Sequence, residues 1–223
     1  MKARFIIVFA LLGLLTSNAV AQTKNSLPDM FYSIGISYHP GNCLYQSGAE
    51  AGHFPMNAAS IFWNSAIALS KHTPAFIEFG VAAQYSFVSF EESRGKTYMD
   101  DFAWTDEEKK WNIQIVSARM PVSFFYAFEI PNANIFFAPF AGIDGIINIW
   151  GQEIYRSQIY NVFDSNTKNH TRRFNLDWHA GLKLMIRRFF ISASYEGPIV
   201  GFYQYQDTRM QMSQINLSAG FMF

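Results

Sequence analysis

Few side chains of this 223-residue sequence are spaced for catalysis or metal binding. The five histidines are scattered along the chain. None begins a His-x-Ser pair, the arrangement that one class of lipid-hydrolysing enzymes needs. Cys43 is the single cysteine, so it has no thiol partner within the chain and is interpreted as a lone surface or loop thiol. We therefore predict no catalytic residues, no metal site and no cofactor. A His, a Ser and a carboxylate could still meet through loops, which keeps a lipid-modifying enzyme as an alternative.

One group of titratable side chains has a spacing that indicates a shared interior. Each member lies on the polar face of a segment whose other face is apolar. Buried charges are costly unless they are paired, so we expect salt bridges that plug the lumen of a closed sheet. A conducting or ligand-gated lumen is the alternative. The group consists of Glu78, Arg119, Asp144, Asp177, His179, Lys183 and Glu196.

The segments that carry these residues alternate with period 2. Between Phe174 and Ile186 every even position is apolar, whereas the odd positions include Asp177, His179 and Lys183. Side chains of a strand point alternately to its two faces, so this segment is predicted to be a strand with one apolar and one polar face. A helix would mix the two sets around its circumference.

Eight such strands are predicted, at 31–39, 57–70, 76–90, 111–128, 134–150, 174–187, 189–203 and 210–223. Short turns join them at 71–75, 129–134 and 187–188, whereas 40–56, 91–110, 151–173 and the shorter 204–209 are predicted as polar loops. This pattern is typical of an all-β fold, an eight-stranded antiparallel transmembrane β-barrel with short periplasmic turns and long extracellular loops. A soluble β-sandwich or lipocalin-like barrel, with apolar faces inward, is the alternative.

Two further features concern which way side chains point. In 111–128 the spacing places Ile113 and Ile115 outward, and Arg119 and Pro121 then indicate a change of phase or a bulge. Aromatic side chains cluster at strand ends, where amphipathic rings favour the membrane interfaces. The loop-end set is Phe90, Trp111, Trp150 and Tyr203, and the turn-end set is Tyr32, Phe76, Phe128, Phe189 and Phe223.

The N-terminus has the form of an export signal. Lys2 and Arg4 precede an apolar run over 5–15, and residues 19–21 give an A-x-A cleavage site, so 1–21 is predicted as a signal peptide and 22–223 as the barrel domain. Only 15% of residues are charged, below the roughly 25% of soluble domains. The formal net charge is zero, so nothing predicts a nucleic-acid partner.

Several stretches resemble a known family. ARMPVSFFYAFEI, NANIFFAPFAGIDGII, FNLDWHAGLKLMIRRFFISASYEGPIVGF and INLSAGFMF are similar to the Bacteroidetes outer-membrane β-barrel family that includes PorT-like proteins. The residues that carry the likeness are Met120–Val122, Ala138–Gly142, Gly181, Ser194–Gly197 and Gly220–Phe223. The resemblance implies a barrel in the Gram-negative envelope. Because PorT is tied to type IX secretion, it also implies an accessory role in a secretion or gliding machine as an alternative function.

These features together predict a non-enzymatic barrel of the cell outer membrane that supports envelope integrity or binds a surface or protein partner through its loops. Phe221 and Phe223 resemble the C-terminal signal read by the barrel assembly machinery. The other expected partners are outer-membrane lipid and lipopolysaccharide, whose phosphates would meet a basic cluster in the loop 151–173. That cluster is Lys168, His170, Arg172 and Arg173.

Overall fold

The computed structural model describes residues 27–47, 50–70, 73–91, 110–130, 133–155, 158–163, 171–205 and 208–223. The predicted signal peptide, most of the predicted loop 91–110, and Lys168 and His170 lie outside the described residues. None of the described residues forms a helix that is long and apolar enough to cross a membrane.

Eight long antiparallel strands and three short ones make up the described fold. In chain order they are β1 (Met30–Ser47), β2 (Glu50–Ser70), β3 (Thr73–Glu91), β4 (Lys110–Tyr126), β5 (Phe128–Ile130), β6 (Ile135–Tyr155), β7 (Gln158–Asn161), β8 (Phe174–Ile186), β9 (Phe189–Val200), β10 (Tyr203–Tyr205) and β11 (Thr208–Met222). The short β5 and β7 pair with β6, and β10 pairs with β11. The long strands follow one another around the sheet in chain order.

The sheet closes on itself because β1 pairs with both β2 and β11. Ile36 lies opposite Ala219 across the closing pair. At its lower end the backbones of Tyr32 and Phe223 exchange two hydrogen bonds of 2.9 Å. The predicted eight-stranded antiparallel barrel, closed by the last strand against residues 31–39, is therefore confirmed, and a two-sheet sandwich is excluded.

The outer wall is apolar over the lower part of every long strand, which is the part nearest the short turns. Large hydrophobic side chains there are 38–67% exposed, although they point away from the interior. At a strand tilt of about 40°, which is typical of barrels, residues 30–38 of β1 would rise about 23 Å, close to the roughly 25 Å apolar band of membrane barrels. Members of this outer band include Ile36, Tyr38, Ile61, Trp63, Phe79, Val81, Val122, Phe124, Ile143, Leu182, Ile191 and Leu217.

The interior is divided into three layers. At the turn end, the lower layer is a buried apolar cluster of Phe31, Ala66, Phe76, Phe125, Ala127, Ala138, Met185, Phe190 and Met222. At the loop end, the upper layer is a second apolar cluster of Cys43, Tyr45, Met56, Val88, Phe90, Ile113, Ile115, Val162, Phe202 and Met210. Between them lies the ionic layer, which contains the buried charged side chains.

The predicted loop 40–56 is wrong. β1 continues to Ser47 and β2 begins at Glu50, so this stretch is a two-strand wall that rises above the apolar band. Its pattern is inverted: Cys43 and Tyr45 are buried inside, whereas Asn42 faces outward. Here the inward side chains pack in the upper layer and the outer wall is no longer apolar, so the expected apolar-out alternation disappears. Residues 151–155 and 158–161 of the predicted loop 151–173 are likewise strand.

The expected phase change in 111–128 is also wrong. Ile113 and Ile115 are 7% and 2% exposed and point inward in the same phase as Arg119. The register shift lies opposite Val116 and Ser117, on β6, where Ile149 and Trp150 both face outward. The bulge is therefore in the partner strand, and β4 itself alternates without interruption.

Three other side chains lie inside rather than at the predicted surface. Phe76 and Phe90, expected at the membrane interfaces, are 3% and 2% exposed and belong to the lower and upper layers. Cys43, expected as a surface or loop thiol, is fully buried in the upper layer, and burial raises the pKa of its thiol to about 12. Aromatic residues thus fill the two ends of the lumen as well as facing outward.

Gly142 on β6 provides a test of this packing. A Cβ there would lie 2.1 Å from the Val122 carbonyl oxygen and 2.6 Å from His179 Nε2. We expect Gly142→Ala to lower the unfolding free energy by about 1–3 kcal/mol, because the added methyl overpacks the lumen. Denaturant unfolding in detergent micelles measures the change.

The matched control is Gly145→Ala on the same strand, where the nearest atom would be 3.9 Å away. It should change the unfolding free energy by less than about 0.5 kcal/mol. Equal effects of the two substitutions would contradict the described packing around Gly142.

Candidate functional site in the barrel lumen

The structure places all seven predicted lumen residues inside the ring, where each is at most 8% exposed. They come from β3, β4, β6, β8 and β9, and the alternation of each strand turns them inward. Their contacts form two clusters, one around Arg119 and one around Lys183. Asp177 and His179 lie beside these clusters without a described ion pair of their own.

Arg119 is the centre of the first cluster. Its Nη2 donates to Asp144 Oδ2 and lies 2.8 Å from Glu196 Oε2, while Nη1 donates to Gln84 Oε1 at 2.7 Å. The guanidinium is always charged and presents its donors in a fixed fork, so it can bind two carboxylates and an amide at once. Arg119 thereby joins strands β3, β4, β6 and β9 across the lumen.

Glu196 receives further donors from β11. Gln214 Nε2 donates to its Oε2, and Asn216 Nδ2 donates to its Oε1 at 2.8 Å. Both carboxylate oxygens are therefore bonded. The strand that closes the ring is tied to the Arg119 cluster by these two amides.

Lys183 is the centre of the second cluster. Its Nζ lies 2.8 Å and 2.6 Å from the two oxygens of Glu78, and Asn64 Nδ2 donates to Glu78 Oε1 at 3.3 Å. The ammonium also lies 5.1 Å from the ring centroid of Phe125 and 5.4 Å from that of Phe190. These cation–π contacts join the ionic layer to the lower layer.

Two histidines bind serines inside the lumen, and His39 was missed as a lumen residue. His39 Nε2 lies 3.1 Å from both Ser37 Oγ and Ser60 Oγ, and its Nδ1 lies 3.8 Å from Glu196 Oε2. The signal was present, because His39 shares the inward phase of Ser37. The second pair is Ser123 Oγ and His179 Nε2, at 2.7 Å.

The order serine, histidine, carboxylate around His39 resembles a hydrolytic triad, but the surrounding space is small. The cavity beside these groups has a volume of about 80 Å³. Ligand pockets are typically 300–1,000 Å³, whereas a cavity volume of about 10–15 Å³ is enough to hold one water molecule. The ionic layer has room for a few waters, and its serines are held in a hydrogen-bonded network.

A much larger concavity lies on the outer wall. It has a volume of about 1020 Å³ and follows a stripe of small side chains across neighbouring strands. The small residues are Ala59, Ala83, Ala193 and Ala219, with Ile36 and Leu182 among the bulkier ones. Its lining is almost wholly apolar, which suits a hydrocarbon chain.

The described residues contain no group of three or more His, Cys, Asp or Glu side chains arranged for a metal ion. Of the predicted basic cluster, only Arg172 and Arg173 are described, and both are exposed. The guanidinium of Arg173 lies 4.9 Å from the ring centroid of Phe163 and donates to the Ile149 carbonyl at 3.4 Å. Its side chain therefore lies at the loop end of the barrel, just above the apolar band.

Solved structures with a similar chain trace are outer-membrane barrels. Neisserial surface protein A shares 12% identity, with 86% of this chain and 97% of that chain covered and a TM-score of 0.46. Ail, the attachment invasion locus protein of Yersinia pestis, shares 12% identity over 86% and 98% of the two chains, with a TM-score of 0.38. The translocator domain of the autotransporter NalP from Neisseria meningitidis shares 11% identity over 100% and 95%, with a TM-score of 0.41.

No protein-family model and no curated protein matches the chain. The resemblance to PorT-like barrels therefore stays a prediction. These three TM-scores are below 0.5, so the likeness carries no functional argument.

The Lys183–Glu78 pair can be tested by breaking and then removing it. We expect Lys183→Met to lower the unfolding free energy by about 3–5 kcal/mol, because it leaves Glu78 buried without its cation. The double variant Lys183→Met/Glu78→Met should recover much of this loss, since no unpaired charge remains. Denaturant unfolding of the single and double variants measures the coupling.

Lys109→Met, in the predicted loop 91–110, is the surface control and should be near neutral. If Lys183→Met and Lys109→Met had the same unfolding midpoint, the Lys183–Glu78 pair would not contribute to stability.

Proposed function

We propose that this protein is an integral barrel of the Gram-negative outer membrane, with a closed lumen and no catalytic activity, that acts through its loop end. The observation that carries the proposal is the inversion of its two surfaces. Charged side chains such as Arg119 and Lys183 are buried inside, whereas Ile36, Val81 and Ile191 are more than half exposed outside. Soluble proteins rarely expose an apolar band that continues around the whole molecule.

Ring closure supports the same location. In hydrocarbon each unpaired backbone group costs several kcal/mol, so a sheet can span a bilayer only when it has no free edge. The β1–β11 pairing removes that edge. Acyl chains would occupy the outer groove of about 1020 Å³, where alanines leave space between larger side chains.

The closed lumen supports a role at the rim. The lower and upper layers lie across both ends of the ionic layer in the described residues. The lumen cavities of about 80 Å³ and 40 Å³ are too small for an acyl or sugar substrate. Envelope integrity and binding at the loop end are the functions that need neither a pore nor a pocket.

The membrane location predicts a depth-dependent cost of charge on the outer wall. We expect Ile61→Arg, in the apolar band and 49% exposed, to lower the unfolding free energy in lipid vesicles by about 2–4 kcal/mol. His53→Arg, on the same outer face but above the band, should change it by about 0–1 kcal/mol.

For both variants, a comparison of gel migration between unheated and boiled samples reports folding. Cell fractionation reports location. A soluble barrel would tolerate arginine at Ile61, which is already exposed to solvent there. Equal stability of the two variants, or recovery of the wild-type protein in a soluble periplasmic fraction, would overturn the membrane assignment.

Lipopolysaccharide is the proposed ligand of the loop end, through Lys168, His170, Arg172 and Arg173. Arginine binds phosphate through paired donors, and an exposed contact of this kind weakens with salt. We expect Arg172→Ser/Arg173→Ser to weaken binding of purified lipopolysaccharide by about fivefold at low salt, and to reduce the salt dependence.

The chain offers a matched control at its other end. Arg187 and Arg188 are also adjacent and exposed, but they form the turn between β8 and β9. Arg187→Asn keeps a residue that tolerates the φ of 56° at this position, so Arg187→Asn/Arg188→Ser should leave binding unchanged. If both double variants bind like the wild type, the basic cluster does not contact lipopolysaccharide.

A further inference from the structure

A second, smaller cavity lies between the ionic layer and the upper layer. It has a volume of about 40 Å³. Its polar lining includes Asn175 and Asp177 from β8 and Gln214 from β11, and its apolar lining includes Ile115 and Phe202. The cavity therefore brings several oxygen atoms together under an apolar cover.

Two of these oxygens are buried acceptors without a donor. Gln214 Oε1 and Asn175 Oδ1 have no hydrogen-bond partner, and their residues are 5% and 7% exposed. The orientation of Gln214 is fixed, because its Nε2 donates to Glu196 and a flipped amide would face that carboxylate with its oxygen. A buried acceptor left unpaired costs about 1–3 kcal/mol, so a partner is expected here.

Asp177 adds a carboxylate without a described ion pair to the same cavity. It is 8% exposed, and no cation of the described chain lies within ion-pair distance of its carboxylate. Arg119 is bound to Asp144 and Glu196, and Lys183 is bound to Glu78. Arg119 acts on Asp177 only from beyond ion-pair distance. Among the described buried carboxylates, Asp177 is thus the one without a direct ion pair.

The ionic layer as a whole contains more buried carboxylates than permanent cations. Its described buried residues include four carboxylates, at Glu78, Asp144, Asp177 and Glu196, but only two permanent cations, at Arg119 and Lys183. The layer therefore contains two more buried carboxylates than permanent cations. An uncompensated buried charge is strongly destabilising, which favours a bound positive ion.

We propose that this cavity binds one monovalent metal cation, Na⁺ or K⁺, coordinated by the Asp177 carboxylate and the side-chain oxygens of Gln214 and Asn175. Hard cations prefer carboxylate, carbonyl and water oxygens. One carboxylate with neutral oxygens suits a single positive charge, whereas Ca²⁺ takes six to eight oxygen ligands, usually with several carboxylates. A water molecule would satisfy the two amide oxygens but would leave the Asp177 carboxylate without a direct positive partner.

The test uses the full-length folded protein in detergent micelles at pH 8 and constant ionic strength. Unheated gel migration after stepwise heating gives the midpoint of thermal unfolding in choline chloride, NaCl or KCl. Choline is too large for a cavity of about 40 Å³. We expect NaCl or KCl to raise the midpoint by about 4 °C or more in a saturable way, relative to choline chloride.

Two variants and a control assign the effect to this cavity. Asp177→Asn should abolish the response to Na⁺ and K⁺ while remaining folded in choline chloride, because it removes the charge. Asn175→Ala should keep the response but raise the half-saturating concentration by about tenfold, as expected for one lost ligand worth about 1.4 kcal/mol. Glu129→Gln, exposed at the turn end, should respond like the wild type.

Three outcomes would overturn the cation site. Equal midpoints in choline chloride, NaCl and KCl would mean that no small cation binds. An undiminished response in Asp177→Asn would place the binding elsewhere. The third outcome is an unfolding midpoint that Na⁺ and K⁺ leave unchanged, but that rises on acidification in the wild type and not in Asp177→Asn. It would show that a proton neutralises this carboxylate instead.

Discussion

Closure of the sheet by β1 and β11 is the constraint on which the rest of the molecule depends. Once the ring is closed, every long strand has a neighbour on both sides. Each side chain then points either outward from the barrel or into a lumen that is only wide enough for side chains. The lumen must then be filled by the inward residues of the same strands. Glycines such as Gly142 mark where neighbouring groups leave no room for a Cβ.

The lumen is filled by two kinds of buried side chain. Apolar side chains close the ends of the lumen, and charged side chains occupy the middle, where Arg119 and Lys183 are paired with carboxylates. The arrangement is a consistent one, since the ionic layer is shielded from water by the layers above and below it, and low polarity strengthens its pairs. In the described residues it also leaves the lumen room for no more than a few waters, which is why the proposed function is placed at the rim.

The apolar-out alternation was enough to predict the strands of the band and the inward direction of all seven lumen residues, because an apolar outer face and a charged inner face give opposite patterns. It failed where that contrast ends. In 40–56 the outer face meets water while Cys43 and Tyr45 pack inside, so the pattern reverses. Ile113 and Ile115 look like lipid-facing residues, yet they continue the phase of Arg119. Which carboxylate Arg119 selects depends on the register of neighbouring strands, and no single strand contains that information.

The wall formed by the upper parts of β1 and β2 has a further consequence in the proposed orientation. Residues 50–58 of β2 continue above the apolar band and, at a tilt of about 40°, rise about 23 Å more. The headgroup region adds only about 5–8 Å on each side of the hydrocarbon. β8 and β9, at 13 and 12 residues, end much lower. Among the described residues the strands therefore end at different heights around the ring. In the proposed orientation the upper parts of β1 and β2 form a stiff, hydrogen-bonded surface that projects from the membrane and faces sideways.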